Sequence, residues 1–158
     1  MIKFGIIGAG WRSEFYVRIA NYMPELFHVT GIYIRNEEKR AAFLQKFDVP
    51  VCSSLDELLG TAPDFVVSCV DKGSVCNEIE LLCNKGIAVL TETPIGTSLN
   101  EIEAFEKKIK KYWKVQVAEQ FHLMPRNQAY KRIIESGILG EVNHVQLSCC
   151  HDYHAASQ

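Results

Sequence analysis

The sequence predicts an α/β fold, a doubly wound parallel sheet covered by helices, followed by the start of a second α+β domain. Short apolar runs alternate with longer amphipathic stretches as far as residue 118, which is typical of βαβ units. The run at residues 65–70 is apolar almost throughout, as expected of a strand buried on both faces. The first run ends in Gly8-Ala9-Gly10 directly before a helical pattern, which indicates a strand-to-helix turn.

Six strands and the helices between them follow from the period of the apolar residues. The predicted strands are residues 3–7, 27–34, 51–52, 65–70, 87–90 and 113–118. The predicted helices are residues 12–23, 37–47, a short one from 55, 74–85, and a fifth from 99 to 112. Right-handed crossovers then place helices on both faces of an open sheet.

Local signals define the helix ends and the helix faces. Pro24 ends the first helix, and Gly86 follows the fourth as a glycine C-cap. Residues 54–57 and 98–101 are capping boxes, in which a serine and a glutamate satisfy free backbone amides. Apolar residues at helical spacing predict the inward faces as Phe15, Ile19 and Tyr22; Ala41, Leu44 and Phe47; and Ile102, Phe105, Ile109 and Tyr112.

The last forty residues or so differ in pattern from the rest. A helix is predicted at residues 125–136, with Gly137 after it, and a strand at residues 141–150. A seventh strand after a complete six-stranded unit indicates that a second domain begins here. We therefore expect a first domain at residues 1–120, and at 121–158 the beginning of a truncated second domain.

Composition and charge exclude several classes of protein. The formal net charge of −2 gives no electrostatic attraction to nucleic acid or to an anionic membrane. No apolar run approaches the roughly 18 residues of a membrane span, and a strand rather than a signal peptide opens the chain. The six cysteines include no Cys-x-x-Cys pair, so we expect reduced structural thiols in a cytoplasmic protein and no metal site.

The glycine turn is the first candidate binding site. A turn such as Gly8-Ala9-Gly10 lets the backbone approach a ligand and directs the free amides of a helix start toward an anion. In the dinucleotide pattern Gly-x-Gly-x-x-Gly the third glycine falls at Ser13, a small residue that still permits close packing of helix on strand. The alternative is an ordinary tight turn.

Four segments in chain order carry a more specific combined pattern. They are Gly-Ile-Ile-Gly-Ala-Gly at 5–10, Asp-Phe-Val-Val at 64–67, Lys-Gly-Ile-Ala-Val-Leu-Thr-Glu-Thr-Pro at 85–94, and Ile-Ile-Glu-Ser-Gly-Ile-Leu-Gly-Glu-Val at 133–142, which Pro125 precedes. In this combination the chain resembles the glucose–fructose oxidoreductase / inositol dehydrogenase (Gfo/Idh/MocA) family of NAD(P)-dependent oxidoreductases. The resemblance covers nearly the whole chain.

The resemblance implies a Rossmann domain that holds NADP or NAD, and a second domain for substrate binding and oligomerisation. The full-length protein would then transfer hydride to or from a small hydroxylated substrate, such as a sugar or polyol, and form a homo-oligomer. The candidate cofactor-binding residues are Gly8, Ala9, Gly10, Trp11, Arg12, Arg35, Val70, Asp71 and Glu92.

The chain departs from the family at a catalytic position. Family members usually carry Glu-Lys-Pro after the fifth strand, and their lysine reaches both nicotinamide and substrate. Here the segment is Glu92-Thr93-Pro94, so Glu92 and Thr93 are the candidate catalytic residues. Thr93 offers a hydroxyl, but it cannot stabilise a developing alkoxide as an ammonium group would.

Other family positions differ as well. Val70-Asp71 replaces Thr-Pro after the fourth strand, and Val75 stands where histidine is common. Asp71 is either a solvated loop carboxylate or a contact to ribose hydroxyls. Phe121 and His122 occupy places where arginine is common.

The family's catalytic aspartate and histidine would lie in the second domain, beyond Gln158. His151, Asp152 and His154 are either a substitute cluster or a frayed terminal segment.

The end of the second strand favours NADP over NAD. NAD selection needs a carboxylate there, but Glu37 and Glu38 already begin the next helix. Arg35 can instead pair with a 2′-phosphate and stack on adenine, unless it is simply a solvated loop residue.

Two further functions are open on the sequence alone. The replacement of lysine by Thr93 also fits a catalytically inactive dinucleotide-binding sensor or partner protein. A third alternative is a vestigial site that retains only the fold.

Overall fold

A computed structural model describes residues 1–109 and 114–148. It contains a six-stranded parallel sheet with the strand order β3-β2-β1-β4-β5-β6. The strands are β1 (Ile2–Ile7), β2 (Phe27–Tyr33), β3 (Val51–Cys52), β4 (Phe65–Ser68), β5 (Val89–Thr91) and β6 (Val115–Val117). The sheet confirms the α/β fold class that the alternating pattern predicts.

Helices connect the strands and continue beyond the sheet. They are α1 (Trp11–Tyr22), α2 (Glu37–Leu44), α3 (Leu55–Gly60), α4 (Val75–Asn84), α5 (Leu99–Ile109), a 3₁₀ turn (Phe121–Leu123) and α6 (Pro125–Glu135). The chain forms two compact units, of which the first is Met1–Glu119 and the second begins at Gln120. No helix in the described residues has both the length and the apolar character needed to cross a membrane.

The core of the first unit consists of two apolar clusters. In one cluster, sheet residues such as Val66 pack with Leu58 of α3 and Ile79 of α4. In the other, sheet residues such as Val67 pack with Val17 of α1 and Phe43 of α2. Adjacent residues of β4 therefore contribute to different clusters, which explains why this strand is apolar along its whole length.

The predicted inward face of α1 is wrong. Ser13, Val17 and Ala20 are buried in this helix, whereas Phe15 is 45% exposed and Tyr22 is 87% exposed. The helix begins directly after the glycine turn, and Ser13 packs beneath that turn. This contact fixes the orientation of α1 about its own axis. The face that follows Ser13 at steps of four and three residues is therefore the one that meets the sheet.

The predicted inward face of α2 is wrong at Ala41 and Leu44 but confirmed at Phe47, which packs against the core cluster. That of α5 is partly confirmed. Phe43 is the buried residue of α2, whereas Ala41 and Leu44 are exposed. The Asn36 side chain caps α2 by accepting from the Lys39 amide at 2.9 Å. This fixed starting point determines which residues of α2 face the sheet. In α5, Phe105 is buried, and Tyr112 lies outside the described residues.

Both predicted capping boxes are present. Ser54 Oγ accepts from the Glu57 amide at 3.1 Å, and Ser98 Oγ accepts from the Glu101 amide at 3.3 Å. The two glutamates reach the residue before the cap, since each accepts from the backbone amide and hydroxyl there. Gly86 closes α4 with φ of +77°, as predicted for a glycine C-cap.

The second unit contains the predicted helix but not the predicted strand. Helix α6 is followed by Gly137 at φ of +72°, in agreement with the sequence pattern. Residues 141–148 form no strand, and Val145 and Leu147 are exposed. A strand requires a neighbour to satisfy its backbone, and residues 141–148 pair with no strand of the described chain. Residues 149–150 of the predicted strand lie outside the description.

Candidate functional site

Most of the predicted site residues follow the carboxyl ends of neighbouring strands. The parallel register aligns Ile7 with Tyr33 and Ser68, and Ser68 with Thr91. The glycine turn, Arg35, Val70-Asp71 and Glu92-Thr93 come after these ends and therefore lie along one edge of the sheet. Ligands of open α/β sheets bind at this edge, where the strand order reverses.

Gly8 is required by the packing of the turn itself. Its φ is +110°, a conformation that other residues rarely adopt, and its amide donates to the Tyr33 carbonyl at 3.0 Å. A Cβ atom at Gly8 would lie 2.5 Å from the carbonyl oxygen of Cys69. Backbone groups at the ends of β2 and β4, the two strands beside β1, therefore lie against Gly8.

Gly10 faces open space instead. It is the N-cap of α1, so no side chain occupies the start of the helix, and a Cβ atom there would meet no heavy atom within 4 Å. The amides of the first turn therefore remain available to an anion, as a bound pyrophosphate requires.

Ser13 lies beneath the turn, in the third position of the glycine pattern. It is fully buried, and its hydroxyl oxygen has no hydrogen-bond partner among the described nitrogen and oxygen atoms. The neighbouring thiol of Cys69 is also held in this packed region, and burial raises its pKa to about 12. A small side chain at position 13 is therefore what lets α1 approach the sheet this closely.

A cavity of about 620 Å³ opens beside the turn. The structure brings six predicted cofactor residues together in its wall: Gly8, Ala9, Gly10, Arg35, Val70 and Asp71. Helix α2 completes the wall, and it contributes side chains that sequence reasoning did not single out. The predicted residues Trp11, Arg12 and Glu92 do not line this cavity.

Two cationic side chains in the wall of this cavity form no ion pair within the described residues. Glu14 is neutralised by Lys46 at 2.8 Å and by Arg18 at 2.9 Å. Within the described chain, the side chains of Arg35 and Lys39 form no such pair. The β2 end of the cavity therefore presents two cations outside any ion pair of the described residues, and the Arg35 charge also acts on the Asp71 carboxylate across the same cavity.

Glu92 lies in a separate network that ties the end of β5 to α1. Its Oε2 is 3.2 Å from Nε of Arg12, and its Oε1 accepts from the Tyr16 hydroxyl at 2.9 Å. Burial and the hydrogen bond to Glu92 raise the pKa of the Tyr16 hydroxyl, so it stays a donor. The Arg12 guanidinium also stacks over the ring of Trp11 at 4.1 Å.

Thr93 follows this network directly. It is exposed, and a cis peptide bond joins it to Pro94. Its side chain carries no charge, whereas the Glu92 carboxylate directly before it forms an ion pair with Arg12.

Asp71 is engaged in its own loop. It accepts from the Ser74 hydroxyl at 2.9 Å and from the Gly73 amide at 3.1 Å. The Ser74 hydrogen bond is the main reason that the pKa of this carboxyl lies below its usual range. Both partners are turn neighbours, which is the geometry of a loop carboxylate, although the side chain also borders the cavity.

A second cavity, of about 410 Å³, includes a carboxylate that sequence reasoning missed. Glu78 of α4 accepts from the buried Ser68 hydroxyl at 2.8 Å. Burial raises the pKa of Glu78, while the Ser68 hydrogen bond and the Arg35 charge oppose that rise. The available signal was a charged residue between Val75 and Ile79 on the apolar face of a predicted helix.

The second unit holds the remaining candidates. Phe121 and His122 lie in the 3₁₀ turn, where their carbonyls accept from the side chains of Asn127 and Gln128. His151, Asp152 and His154 lie outside the described residues. No group of three or more His, Cys, Asp or Glu suited to a metal ion occurs in the part of the chain that the structure describes.

Residues 2–121 match the sequence model of a family described as an oxidoreductase family with an NAD-binding Rossmann fold. No curated protein matches the chain.

Solved structures of similar fold include three dehydrogenases. The WlbA dehydrogenase of Bordetella pertussis, solved with NADH and UDP-GlcNAcA, is 22% identical with a TM-score of 0.73 over 88% of this chain and 41% of its own. The scyllo-inositol dehydrogenase of Lactobacillus casei, solved with NAD(H) and scyllo-inositol, is 21% identical with a TM-score of 0.74 over 89% and 43%. UDP-N-acetylglucosamine 3-dehydrogenase of Acidithiobacillus ferrooxidans is 18% identical with a TM-score of 0.70 over 84% and 43%. The chain thus spans less than half the length of these proteins.

Proposed function

The chain belongs to the Gfo/Idh/MocA family of oxidoreductases with an NAD-binding Rossmann fold, and on that premise we propose that the glycine-turn cavity binds a nicotinamide dinucleotide. The observation that carries this proposal is the uncapped start of α1 at Gly10, which opens into a cavity of about 620 Å³. When bound, the nicotinamide supplies the hydride chemistry. The full-length protein would transfer hydride to or from a small hydroxylated substrate of the sugar or polyol kind.

The residues divide into three groups along the bound cofactor. Backbone amides from Ala9 to Arg12 face the pyrophosphate, because the helix start offers free donors and a favourable dipole, whereas the Gly8 amide already donates to Tyr33. Val70 and Asp71 border the cofactor from the end of β4. Glu92 and Thr93 follow β5, toward the nicotinamide end.

Binding of the dinucleotide is the direct test. We expect NADP, and more weakly NAD, to give saturable heats in isothermal titration calorimetry and to change the fluorescence of Trp11, which is 58% exposed beside the turn. The chain has a second tryptophan, Trp113, so a Trp11→Phe variant shows how much of the fluorescence change comes from Trp11. Failure of both cofactors to bind or to raise the thermal midpoint would leave a vestigial site.

We further propose that the cofactor is NADP. Arg35 and Lys39 border the cavity from the end of β2 and the first turns of α2, and neither is neutralised by an ion pair in the described chain. A 2′-phosphate carries the negative charge that this pair of cations can bind. The Asn36 side chain caps α2 beside them and has no negative charge to repel the phosphate.

An Arg35→Gln variant tests this selection. We expect it to weaken NADP binding by about 10- to 100-fold, the range for loss of a hydrogen-bonded charge, and to leave NAD binding unchanged. Arg40→Gln is the matched control, because Arg40 pairs with Glu37 on the same helix and lies outside the cavity wall. An equal loss of NAD and NADP affinity would assign Arg35 to the adenosine in general and not to the 2′-phosphate.

Catalysis without the family lysine needs a separate assay. We expect full-length protein to change absorbance at 340 nm with a member of a sugar and polyol panel, and a Thr93→Lys variant to react faster. Tight cofactor binding with no turnover in either protein would favour the sensor function instead.

We also propose that residues 1–120 are the dinucleotide-binding domain and that residues 121–158 begin a substrate and oligomerisation domain. The division into two compact units near Glu119 supports this assignment.

A further inference from the structure

An ion pair joins the start of α1 to the end of β5. Arg12 lies one residue past the first residue of the helix, and Glu92 directly precedes the exposed Thr93. Their side chains are 29% and 14% exposed, so solvent screens the pair less than it screens a surface salt bridge. The Tyr16 hydroxyl donates to the second oxygen of Glu92 without changing the charge of the pair.

The strand order assigns this pair to one half of the cofactor. β2 and β5 lie on opposite sides of β1 in the sheet. With the pyrophosphate at the start of α1 and the adenosine toward Arg35 after β2, the other half of a dinucleotide extends toward β4 and β5. This placement rests on the proposed function.

We propose that Arg12 and Glu92 form a charge-balanced pair at the nicotinamide end of the site, and that their balance sets the relative affinity for oxidised and reduced cofactor. The oxidised nicotinamide ring carries a positive charge and the reduced ring carries none. An unpaired carboxylate beside the ring would therefore favour the oxidised form, and an unpaired guanidinium would favour the reduced form. In the wild-type chain the two groups neutralise each other.

The experiment measures three dissociation constants for each variant by calorimetry. The probes are NADP⁺, NADPH and 2′-phospho-ADP-ribose, which has the pyrophosphate but no nicotinamide. The variants of the 158-residue chain are Arg12→Gln, Glu92→Gln and the double variant, with Tyr16→Phe as the control that loses a hydrogen bond but keeps both charges. Thermal unfolding of each variant confirms that it is folded.

The Kd ratio of NADP⁺ to NADPH is the readout. We expect Arg12→Gln to lower this ratio by about three- to tenfold and Glu92→Gln to raise it by a similar factor, the size expected for one partly screened charge at short range. The double variant and Tyr16→Phe should stay within about twofold of the wild-type ratio, and the affinity for 2′-phospho-ADP-ribose should not change.

Two results would overturn this assignment while leaving the cofactor site intact. One is an unchanged ratio in both single variants. The other is an Arg12→Gln variant that loses affinity equally for all three probes, which would assign Arg12 to the pyrophosphate. If the wild-type chain binds none of the probes, the proposed function itself fails and this inference fails with it.

Discussion

Gly8 and Gly10 stand two positions apart in one turn, yet they are glycines for different reasons. Gly8 has φ of +110° and its Cβ position is blocked by a backbone oxygen of Cys69. Gly10 has φ of −77° and an open Cβ position. The first residue therefore serves the fold, and the second keeps the helix start accessible.

Alanine substitutions should separate these two roles. We predict that Gly8→Ala lowers the free energy of unfolding by about 2–4 kcal/mol, from an unfavourable φ and a steric clash. We predict that Gly10→Ala leaves stability within about 0.5 kcal/mol, because its φ suits any residue, but weakens dinucleotide binding at least about tenfold. Denaturant unfolding and calorimetry measure the two effects. Equal destabilisation by both substitutions would contradict this division.

At the scale of elements, the helices are positioned by polar groups as well as by apolar faces. In α1 the fully buried Ser13 sets the rotation, and Tyr22 is consequently turned to solvent. In α4 the Glu78 carboxyl turns inward onto Ser68, so the contact between this helix and β4 includes a partly buried acid. Such an acid makes helix packing dependent on pH.

Glu78 gives the pH prediction. Because the pKa of Glu78 is higher in the folded chain than its ordinary value of 4.5, its contribution to stability is fully present below that value and is lost as pH rises through the folded pKa. We therefore predict that Glu78→Gln raises the thermal midpoint at pH 8, and that this gain disappears at pH 4. Glu103→Gln, an exposed change on α5, is the control and should show no gain. A gain for Glu78→Gln that is the same at both pH values would contradict this account.

At the scale of the whole molecule, the buried core belongs to the first unit. Every buried side chain in the described residues lies at or before Phe105. Helix α6, in the second unit, buries none of its residues. The hydrophobic stabilisation of the described chain therefore comes from the sheet and its covering helices.

A shortened chain tests this distribution. We predict that residues 1–120 unfold cooperatively, with a thermal midpoint within about 5 °C of the full chain, a difference of roughly 1 kcal/mol or less. A chain that stops at residue 109 is the comparison, and it should be less stable because it lacks β6 and its ladder with β5. Circular dichroism melting measures all three chains. A noncooperative 1–120 chain would show that later residues are needed for folding.

The sequence by itself determined the fold class, the order of elements, the glycine turn and both capping boxes. These features depend on neighbours within a few residues, such as the alternation of apolar runs or the spacing of Ser54 and Glu57, so they are readable along the chain. The strand pattern at 141–148 is the exception, because a local preference forms no strand without a partner.

Only the tertiary structure decided which faces of α1 and α2 are buried and which charges meet. Tyr16 and Glu92 are 76 residues apart, and no spacing in the sequence indicates their hydrogen bond. Arg12, which the sequence predicts as a cofactor-binding residue, lies against the same carboxylate. These contacts form because parallel strands bring their carboxyl ends to one edge of the sheet. At that edge each charged side chain meets groups from distant parts of the sequence, and these partners, rather than its residue type alone, determine which hydrogen bonds and ion pairs it forms.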